Sequence, residues 1–426
     1  MRKVAWRLIP FLSIGYLINA LDRFNVSIAA LTMNKELGLS ATTYGLAAGA
    51  FFWSYVLFQF PANAILTRMG ARRWIGLTMF GWGVCSAGTA FVTDATSFVV
   101  MRFLLGVAES GFFPGVAWFM TRWFPSGHRG RAMGIFYAFG AGASIIGAPI
   151  SGNLLLLHGW HGLSGWQWLF LIEGAPACLL ALLCPILIRD HPEDAAWLAR
   201  DEQTWLSNRL EAERSQFPSQ TLSLGQALAS RTILLLITNY LLIAFGVYAT
   251  SFFLPLMIKT MGYGDQKVAY LSAIPNIFGV IGMILLSRSS DRTGERHWHV
   301  AGPCLLAAAG LLGAGLTLST NPVAAMACFC LTAFGLASAL PCFWNLPTER
   351  LGPAATAGGI AIINSIGNIS GYVAPQAVGL LHDVTGAYEI PMIVTSLVMV
   401  AAAACILVIP RSVAPPASAM PAGRGS

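Results

Sequence analysis

The chain alternates between long apolar stretches and short polar links. Twelve stretches are long enough for a membrane-crossing helix, which takes about 20 apolar residues, so the pattern predicts an all-α, polytopic fold. A single long polar interval, 190–230, divides the spans into two sets of six and is predicted to be a cytoplasmic central loop. We predict one six-helix bundle over 1–189, a second over 231–411, and a cytoplasmic tail over 412–426. The predicted spans are 6–30, 42–66, 74–93, 97–121, 131–156, 166–189, 231–258, 266–288, 298–318, 322–345, 356–381 and 386–410.

Composition and charge agree with this pattern. Hydrophobic residues make up 56% of the 426 residues and charged residues only 10%, whereas soluble domains carry about a quarter charged residues. If both termini are cytoplasmic, 20 of the 25 Lys and Arg fall on the cytoplasmic side and three on the outer side, as the positive-inside rule requires. We therefore expect a multi-pass membrane protein with both termini in the cytoplasm, and nucleic-acid binding is not needed to explain the net charge of +7.

Four charged residues lie deep inside the first and fourth spans. Asp22 and Arg23 lie in the first span, and Arg102 and Glu109 lie in the fourth. Arg102 and Glu109 are two helical turns apart, so both project from one face at a separation of about 10 Å. Charges in hydrocarbon are tolerated mainly where they face a bundle interior or a water-filled path, so this face predicts the wall of a transport cavity.

We assign opposite roles to the two kinds of charge. Arg23 and Arg102 are expected to hold a substrate carboxylate, because the guanidinium fork matches its geometry. Asp22 and Glu109 are expected to take up protons, and in the empty site the two arginines and two carboxylates would neutralise one another. The alternative is that all four form fixed salt bridges between spans one and four.

The two halves look like copies. The link after the second span reads RMGARR at Arg68–Arg73, and the link after the eighth reads DRTGER at Asp291–Arg296. Twelve spans with these links resemble the major facilitator superfamily over essentially the whole chain, which implies rocking-bundle transport by alternating access. Thr67 stands where the first link usually has an aspartate. The resemblance implies a gating role for the link residues Arg68, Gly70, Arg72, Asp291, Arg292, Gly294 and Arg296.

A narrower resemblance lies in four segments. LDRFNVSIAA (21–30), RFLLGVAESGFFPG (102–115), WQWLFLIEG (166–174) and HPEDAAWL (191–198) are similar to the anion:cation symporter branch, and within it to bacterial permeases for tartrate, phthalate and related carboxylates. The branch implies proton-coupled import of a small organic carboxylate. The same roles follow for the four charged residues, and Tyr55 is implied as a substrate contact.

Several uncharged residues could complete the site. Gln59 lies one turn from Tyr55 and could line the same cavity. The second half offers uncharged polar residues that could contact the substrate, although each could instead stabilise helix packing through interhelical hydrogen bonds. They are Asn239, Tyr240, Tyr248, Trp344, Asn345, Asn364 and Asn368. Glu173, near the start of the sixth span, is expected to have a structural role. We expect the proton as coupling ion, no cofactor, no metal site and a functional monomer.

Other functions remain as alternatives. A sugar-acid symporter is disfavoured, because sugar-acid members of the branch are expected to have an amide side chain in the fifth span and Phe139–Ala143 contains none. An anion exchanger of the same fold remains an alternative. Arg23 and Arg102 argue against a multidrug exporter, because an exporter of cationic drugs would typically have an acidic cavity that no arginine faces. The GLSG sequence at 162–165 has the form of an intramembrane serine protease motif, but all seven histidines lie in links or at span edges, where none provides its base. A non-transporting receptor with this fold would show no saturable uptake.

Overall fold

The computed structural model describes residues 1–216, 230–350 and 353–409, and it is helical throughout apart from short links. The first half comprises α1 (Arg2–Phe24), α2 (Val26–Glu36), α3 (Ala41–Met69), α4 (Ala71–Gly88), α5 (Ala95–Glu109), α6 (Phe112–Trp123), α7 (Ser126–Leu154) and α8 (Gly165–Leu187). The central segment contributes α9 (Arg200–Gln216). The second half comprises α10 (Arg231–Lys259), α11 (Asp265–Thr293), α12 (Trp298–Thr317), α13 (Pro322–Arg350), α14 (Pro353–Gly367), α15 (Ser370–Thr385) and α16 (Glu389–Val408).

The predicted all-α membrane fold is confirmed. Within the residues that the structure describes, nine helical segments are long and apolar enough to cross a membrane. Helices also occupy the other three predicted spans: α3 covers 42–66, α4 overlaps 74–93 over residues 74–88, and α14 and α15 share 356–381. The predicted tail (412–426) and part of the predicted central loop (217–229) lie outside the described residues.

Three of the predicted spans contain a short irregularity in the helical hydrogen bonds, although Asn25, Ser110, Gly111 and Ile369 keep helical backbone angles and the first and fourth spans each remain one membrane-crossing segment. The first is interrupted at Asn25, the fourth at Ser110–Gly111 and the eleventh at Asn368–Ile369. At Gly111 the indole of Trp74 fills the space of a side chain, since a Cβ there would lie 2.3 Å from the ring, and Trp74 Nε1 donates to the Gly111 carbonyl at 2.9 Å.

The two halves meet at the outer face, defined here as the face opposite the amino terminus. Glycines allow α3 and α15 to touch backbone to backbone: a Cβ at Gly45 would lie 2.3 Å from the Pro375 carbonyl oxygen, and one at Gly379 would lie 2.2 Å from that of Ala41. Small residues permit such close approach in membrane bundles. The innermost hydrogen bond between the halves, among the described residues, joins Ser365 Oγ to Gln59 at 3.4 Å.

A carboxylate reinforces this closure. Asp383, at the end of α15, accepts hydrogen bonds from the backbone N–H groups of Ala41 at 3.1 Å and Thr42 at 2.8 Å. A negative charge is favourable at the first turn of a helix, so the second half caps a helix of the first. Burial alone would raise the pKa of Asp383, but the hydrogen bonds from Thr42 and Ala41 lower it to about 2.

We expect a larger residue at Gly45 to open the outer face. Gly45→Leu would drive a side chain into the Pro375 backbone, and over-packing of this kind costs about 1–3 kcal/mol. Spin labels at the exposed outer positions Lys35 and Val384 should then show longer distances than in the wild type, measured by pulsed electron paramagnetic resonance. Gly302→Leu is the control, because nothing lies within 4 Å of a Cβ there. An unchanged distance distribution in Gly45→Leu would contradict the idea that this contact limits opening.

The Asp383 cap should be insensitive to physiological pH. Its lowered pKa means that the cap contributes fully above the ordinary pKa of an aspartate and is lost only as the pH falls through about 2. The distances between the same two spin labels should therefore not change through titration of Asp383 between pH 8 and pH 5. Asp383→Asn should lengthen these distances at every pH in that range. A pH-dependent difference between wild type and Asp383→Asn in that range would refute this assignment.

Candidate substrate and coupling site

A buried ion pair joins the first and fourth spans. Arg23 Nη2 lies 2.8 Å from Glu109 Oε2, and Arg23 Nε lies 3.3 Å from the same oxygen. The Glu109 side chain is fully buried, whereas that of Arg23 keeps 22% exposure. Both residues stand at helix ends, since Glu109 ends α5 and Arg23 is the last residue but one of α1. The structure thus brings together one of the two predicted carboxylates and one of the two predicted arginines.

Arg102 is buried without a carboxylate partner among the described residues. Its side chain is fully buried, and its Nε and Nη1 atoms have no hydrogen-bond partner there. Its Nη2 atom lies 3.5 Å from the carbonyl oxygen of Arg23, at the end of α1. Buried donors are normally satisfied, so the two unpartnered nitrogens make this guanidinium a candidate donor to an acceptor group.

Phe51 lies against both arginines, and the sequence analysis missed it. The Cζ atoms of Arg23 and Arg102 are each 5.1 Å from the centre of the Phe51 ring. The ring of Tyr55, one turn further along α3, is also 5.1 Å from Arg23. A cation over an aromatic face is stabilised by the ring quadrupole. The available signal was the spacing of four residues between Phe51 and Tyr55, which puts both on one helix face.

Asp22 does not neutralise either arginine, which corrects our expectation of two ion pairs. Its carboxylate accepts a hydrogen bond from Ser86 Oγ at 2.7 Å, and Asn25 Nδ2 lies 3.4 Å away. Successive residues point about 100° apart around a helix. Asp22 therefore faces α4 while Arg23 faces α5.

The second half lines the site with uncharged groups. The hydroxyl of Tyr240 donates to Asn364 at 3.2 Å and that of Tyr248 donates to Asn368 at 2.9 Å, so both predicted amides on this face lie beside α10. The half-buried Trp344 packs 4.9 Å from the Tyr240 ring. The centre of the Tyr248 ring also lies 4.5 Å from that of Phe52, the residue that follows Phe51. This contact connects the lining residues of the second half with those of the first.

Three further candidates occupy different surroundings. Gln59 accepts from Ser365 in the other half. Asn345 is half-buried beside Trp344. Asn239 is fully buried and donates to the Ala402 carbonyl at 2.7 Å, an interhelical bond that supports the packing alternative for this residue.

The predicted gating links adopt two related arrangements. In the first, Gly70 has a positive φ of +84° and the Arg72 N–H donates to Asp190 at 2.9 Å. Asp190, which follows α8, thus supplies an acid at the link in which Thr67 replaces the usual aspartate. In the second, Gly294 has a φ of +67° and Arg296 pairs with Asp291 at 2.8 Å. Arg68 and Arg292 are exposed.

Comparison with known proteins agrees with this architecture. The Major Facilitator Superfamily profile matches residues 12–375. A "Putative tartrate transporter" of Agrobacterium vitis is 42% identical over 97% of this chain and 95% of its own length. A "Quinolone resistance transporter" of Acinetobacter baumannii is 40% identical over 94% and 92% of the two chains. The crystal structure of a bacterial homologue of the human lysosomal transporter Spinster, inward-facing and unoccupied, has a TM-score of 0.82 at 17% identity over 96% and 97% of the chains.

A polytopic helical bundle with relatives of this kind is a transmembrane transporter and not an enzyme. The chain belongs to the major facilitator superfamily. Its small-molecule cargo and multi-pass membrane location follow from that membership.

Removing the ring of Phe51 should weaken the site without unfolding it. Phe51→Leu keeps an apolar side chain but loses the cation–π contact with two guanidinium groups, worth about 1–2 kcal/mol, or roughly 5- to 30-fold in substrate affinity. Binding can be measured by substrate-induced changes in tryptophan fluorescence. Phe60→Leu, at a position 77% exposed on the same helix, is the matched control. Equal affinities for both variants would show that Phe51 only fills space.

Proposed function

We propose that this protein imports a small organic carboxylate together with protons, by alternating access across the bacterial inner membrane, as a monomer with cytoplasmic termini. The observation that carries the proposal is the Arg23–Glu109 ion pair beside an Arg102 that lacks an anionic partner among the described residues. This arrangement supports capture of an anion and a link between capture and protonation of Glu109.

Charge balance gives the order of events. In the empty site Glu109 neutralises Arg23, which leaves one positive charge, that of Arg102, for a first carboxylate. When a proton from the outer side binds Glu109, Arg23 loses its partner and becomes available to the anion. Two arginines and a neutral Glu109 carry two positive charges, so a dicarboxylate would balance them. Release of the anion and proton on the inner side restores the ion pair, which stabilises the empty carrier for its return.

The lining supports a cargo with both carboxylate and hydroxyl groups. The arginine fork suits a carboxylate, and the Tyr240–Asn364 and Tyr248–Asn368 pairs present groups that can exchange hydrogen bonds with hydroxyls. Relatives named for tartrate transport agree with this chemistry. We therefore place tartrate or a similar hydroxy-dicarboxylate first, and an aromatic acid such as phthalate second.

A second candidate is export of an aromatic drug that carries an acid group. The relative named for quinolone resistance favours it, as does the aromatic lining of Phe51, Tyr55, Tyr240 and Trp344. Quinolones contain a carboxylate, so the same arginines could bind them. In that case the proton and the cargo would move in opposite directions.

The test is transport by purified protein in proteoliposomes that enclose a pH-sensitive dye. Tartrate, phthalate, galactonate and a quinolone are added one at a time in the absence of a pH gradient. Internal acidification with one carboxylate supports symport and identifies the cargo class. Internal alkalinisation with the quinolone would instead support exchange of drug for proton, and anion uptake without any pH change would refute proton coupling.

We expect Glu109→Gln to abolish net uptake and acidification while anion exchange persists. The amide mimics the protonated carboxyl, so it leaves Arg23 without its ion pair in the empty carrier, and the empty carrier cannot return. Exchange requires only the loaded carrier and should stay within a fewfold of wild type. Glu211→Gln, at an exposed acid on α9, is the control. Normal acidification by Glu109→Gln would reduce Glu109 to a structural partner of Arg23.

A further inference from the structure

Three phenylalanine rings from both halves meet beside the arginine site. They belong to Phe24 at the end of α1, Phe52 on α3 and Phe252 on α10, and we call them the aromatic plug. The ring centre of Phe252, from the second half, lies 5.5 Å from that of Phe24 and 6.0 Å from that of Phe52, both from the first half. Phe52 and Phe252 are at most 2% exposed, so the contact between the halves is closely packed here.

The plug is built from the immediate neighbours of site residues. Phe24 follows Arg23 in the chain, and Phe52 follows Phe51, whose ring lies against both arginines. A change in the position of Arg23 therefore acts directly on one member of the plug, because the two residues share a peptide unit.

Phe252 lies on the outer side of the site. It is one helical turn from the lining residue Tyr248, on the same face of α10. On its other side, the hydroxyl of Tyr44 donates to the Phe252 carbonyl at 3.0 Å, and the Tyr44 ring lies 5.3 Å from that of Phe253. Tyr44 belongs to the first turn of α3, next to Ala41 at the outer face. Phe252 thus separates the outer face from the lining of the site.

Two members of the plug lie where their helices are locally weak. Pro255 lies inside α10, three residues beyond Phe252, and a proline within a helix removes one backbone hydrogen bond and favours a bend. Phe24 is the last residue of α1, and α2 begins at Val26. Local bending at these two points can separate Phe24 from Phe252 while the backbone contacts between α3 and α15 stay intact.

We propose that the aromatic plug is a local outer gate, which keeps water and ions from the arginine site while the two halves are in contact at the outer face. A constriction lined by apolar side chains excludes water and thereby blocks ions. The inference rests on the proposed transport path through the arginine site, and it requires neither a particular cargo nor proton coupling. It assigns a gating role to Phe24, Phe52 and Phe252.

The gate predicts a specific defect when a ring is removed. Truncation of Phe252 or Phe24 leaves a gap between the halves that water can enter. The glycine contacts of Gly45 and Gly379 remain, so the halves should stay together at the outer face. A leak without separation of the halves is therefore the signature of a local gate.

The experiment measures passive leak in proteoliposomes without any substrate. An enclosed pH-sensitive dye shows how fast an imposed pH gradient decays, while potassium and valinomycin clamp the membrane potential. Phe252→Ala and Phe24→Ala each remove one side of the contact, and Phe252→Leu keeps a smaller apolar side chain that serves if an alanine variant does not fold. Phe80→Ala is the matched control, because Phe80 lies on α4 and is 47% exposed.

The distance between spin labels at Lys35 and Val384 is measured in the same variants. We expect decay severalfold faster than in the wild type for Phe252→Ala and Phe24→Ala, an intermediate rate for Phe252→Leu and the wild-type rate for Phe80→Ala. The label distances should stay at their wild-type values in all four variants.

Two results would overturn the proposal. Wild-type decay in the Phe252 and Phe24 variants would show that the rings do not form the seal. Faster decay together with longer label distances would show that the leak comes from separation of the halves and not from a local gate. Failure of the proposed function would appear in a different measurement, as the absence of carboxylate uptake by the wild type.

Discussion

The ion pair between Arg23 and Glu109 is the interaction on which the arrangement of the first half depends. A charge in the hydrocarbon region is costly unless it faces a partner or a polar cavity, and this pair provides the partner across two spans. Beside this pair, α3 and α5 also lie close together. Gly106 allows this, because a Cβ there would lie 2.1 Å from Ser54 Oγ and 2.2 Å from the Phe51 carbonyl oxygen. The same close approach places the Phe51 ring against both guanidinium groups.

Much of the fold could be predicted from the sequence, for a physical reason. Within a bilayer the backbone must satisfy its own hydrogen bonds, so long apolar stretches become helices. The local irregularities in three spans could not be predicted, because hydropathy does not register a local loss of helical hydrogen bonds. Asn25, Gly111 and Asn368 are the residues at these irregularities, and each is either a weak helix former or able to compete for backbone bonds. Their position beside Arg23, Glu109 and Asn364 connects backbone irregularity with the site.

The candidate site was predictable in its members but not in its pairing. Charged residues are so rare in the spans that Asp22, Arg23, Arg102 and Glu109 could be identified directly. Which carboxylate meets which arginine depends on how α1 and α5 are rotated about their axes, and hydropathy does not fix that rotation. Asp22 consequently faces Ser86 and Glu173 and not an arginine. Phe51 was missed because an aromatic residue in an apolar span is not distinctive by itself, and its four-residue spacing from Tyr55 was the one signal that placed it on the same helix face.

The described lining of the second half contains hydrogen-bonded Tyr–Asn pairs in place of ion pairs. A neutral pair can be replaced by another without leaving an uncompensated charge in the membrane, whereas the charged residues of the first half must change together. The two halves should therefore tolerate substitution unequally. Substitutions around Tyr240 and Tyr248 can change the shape of the lining while the charged residues of the first half stay as they are. Such a division would let carriers with different linings share one set of charged residues.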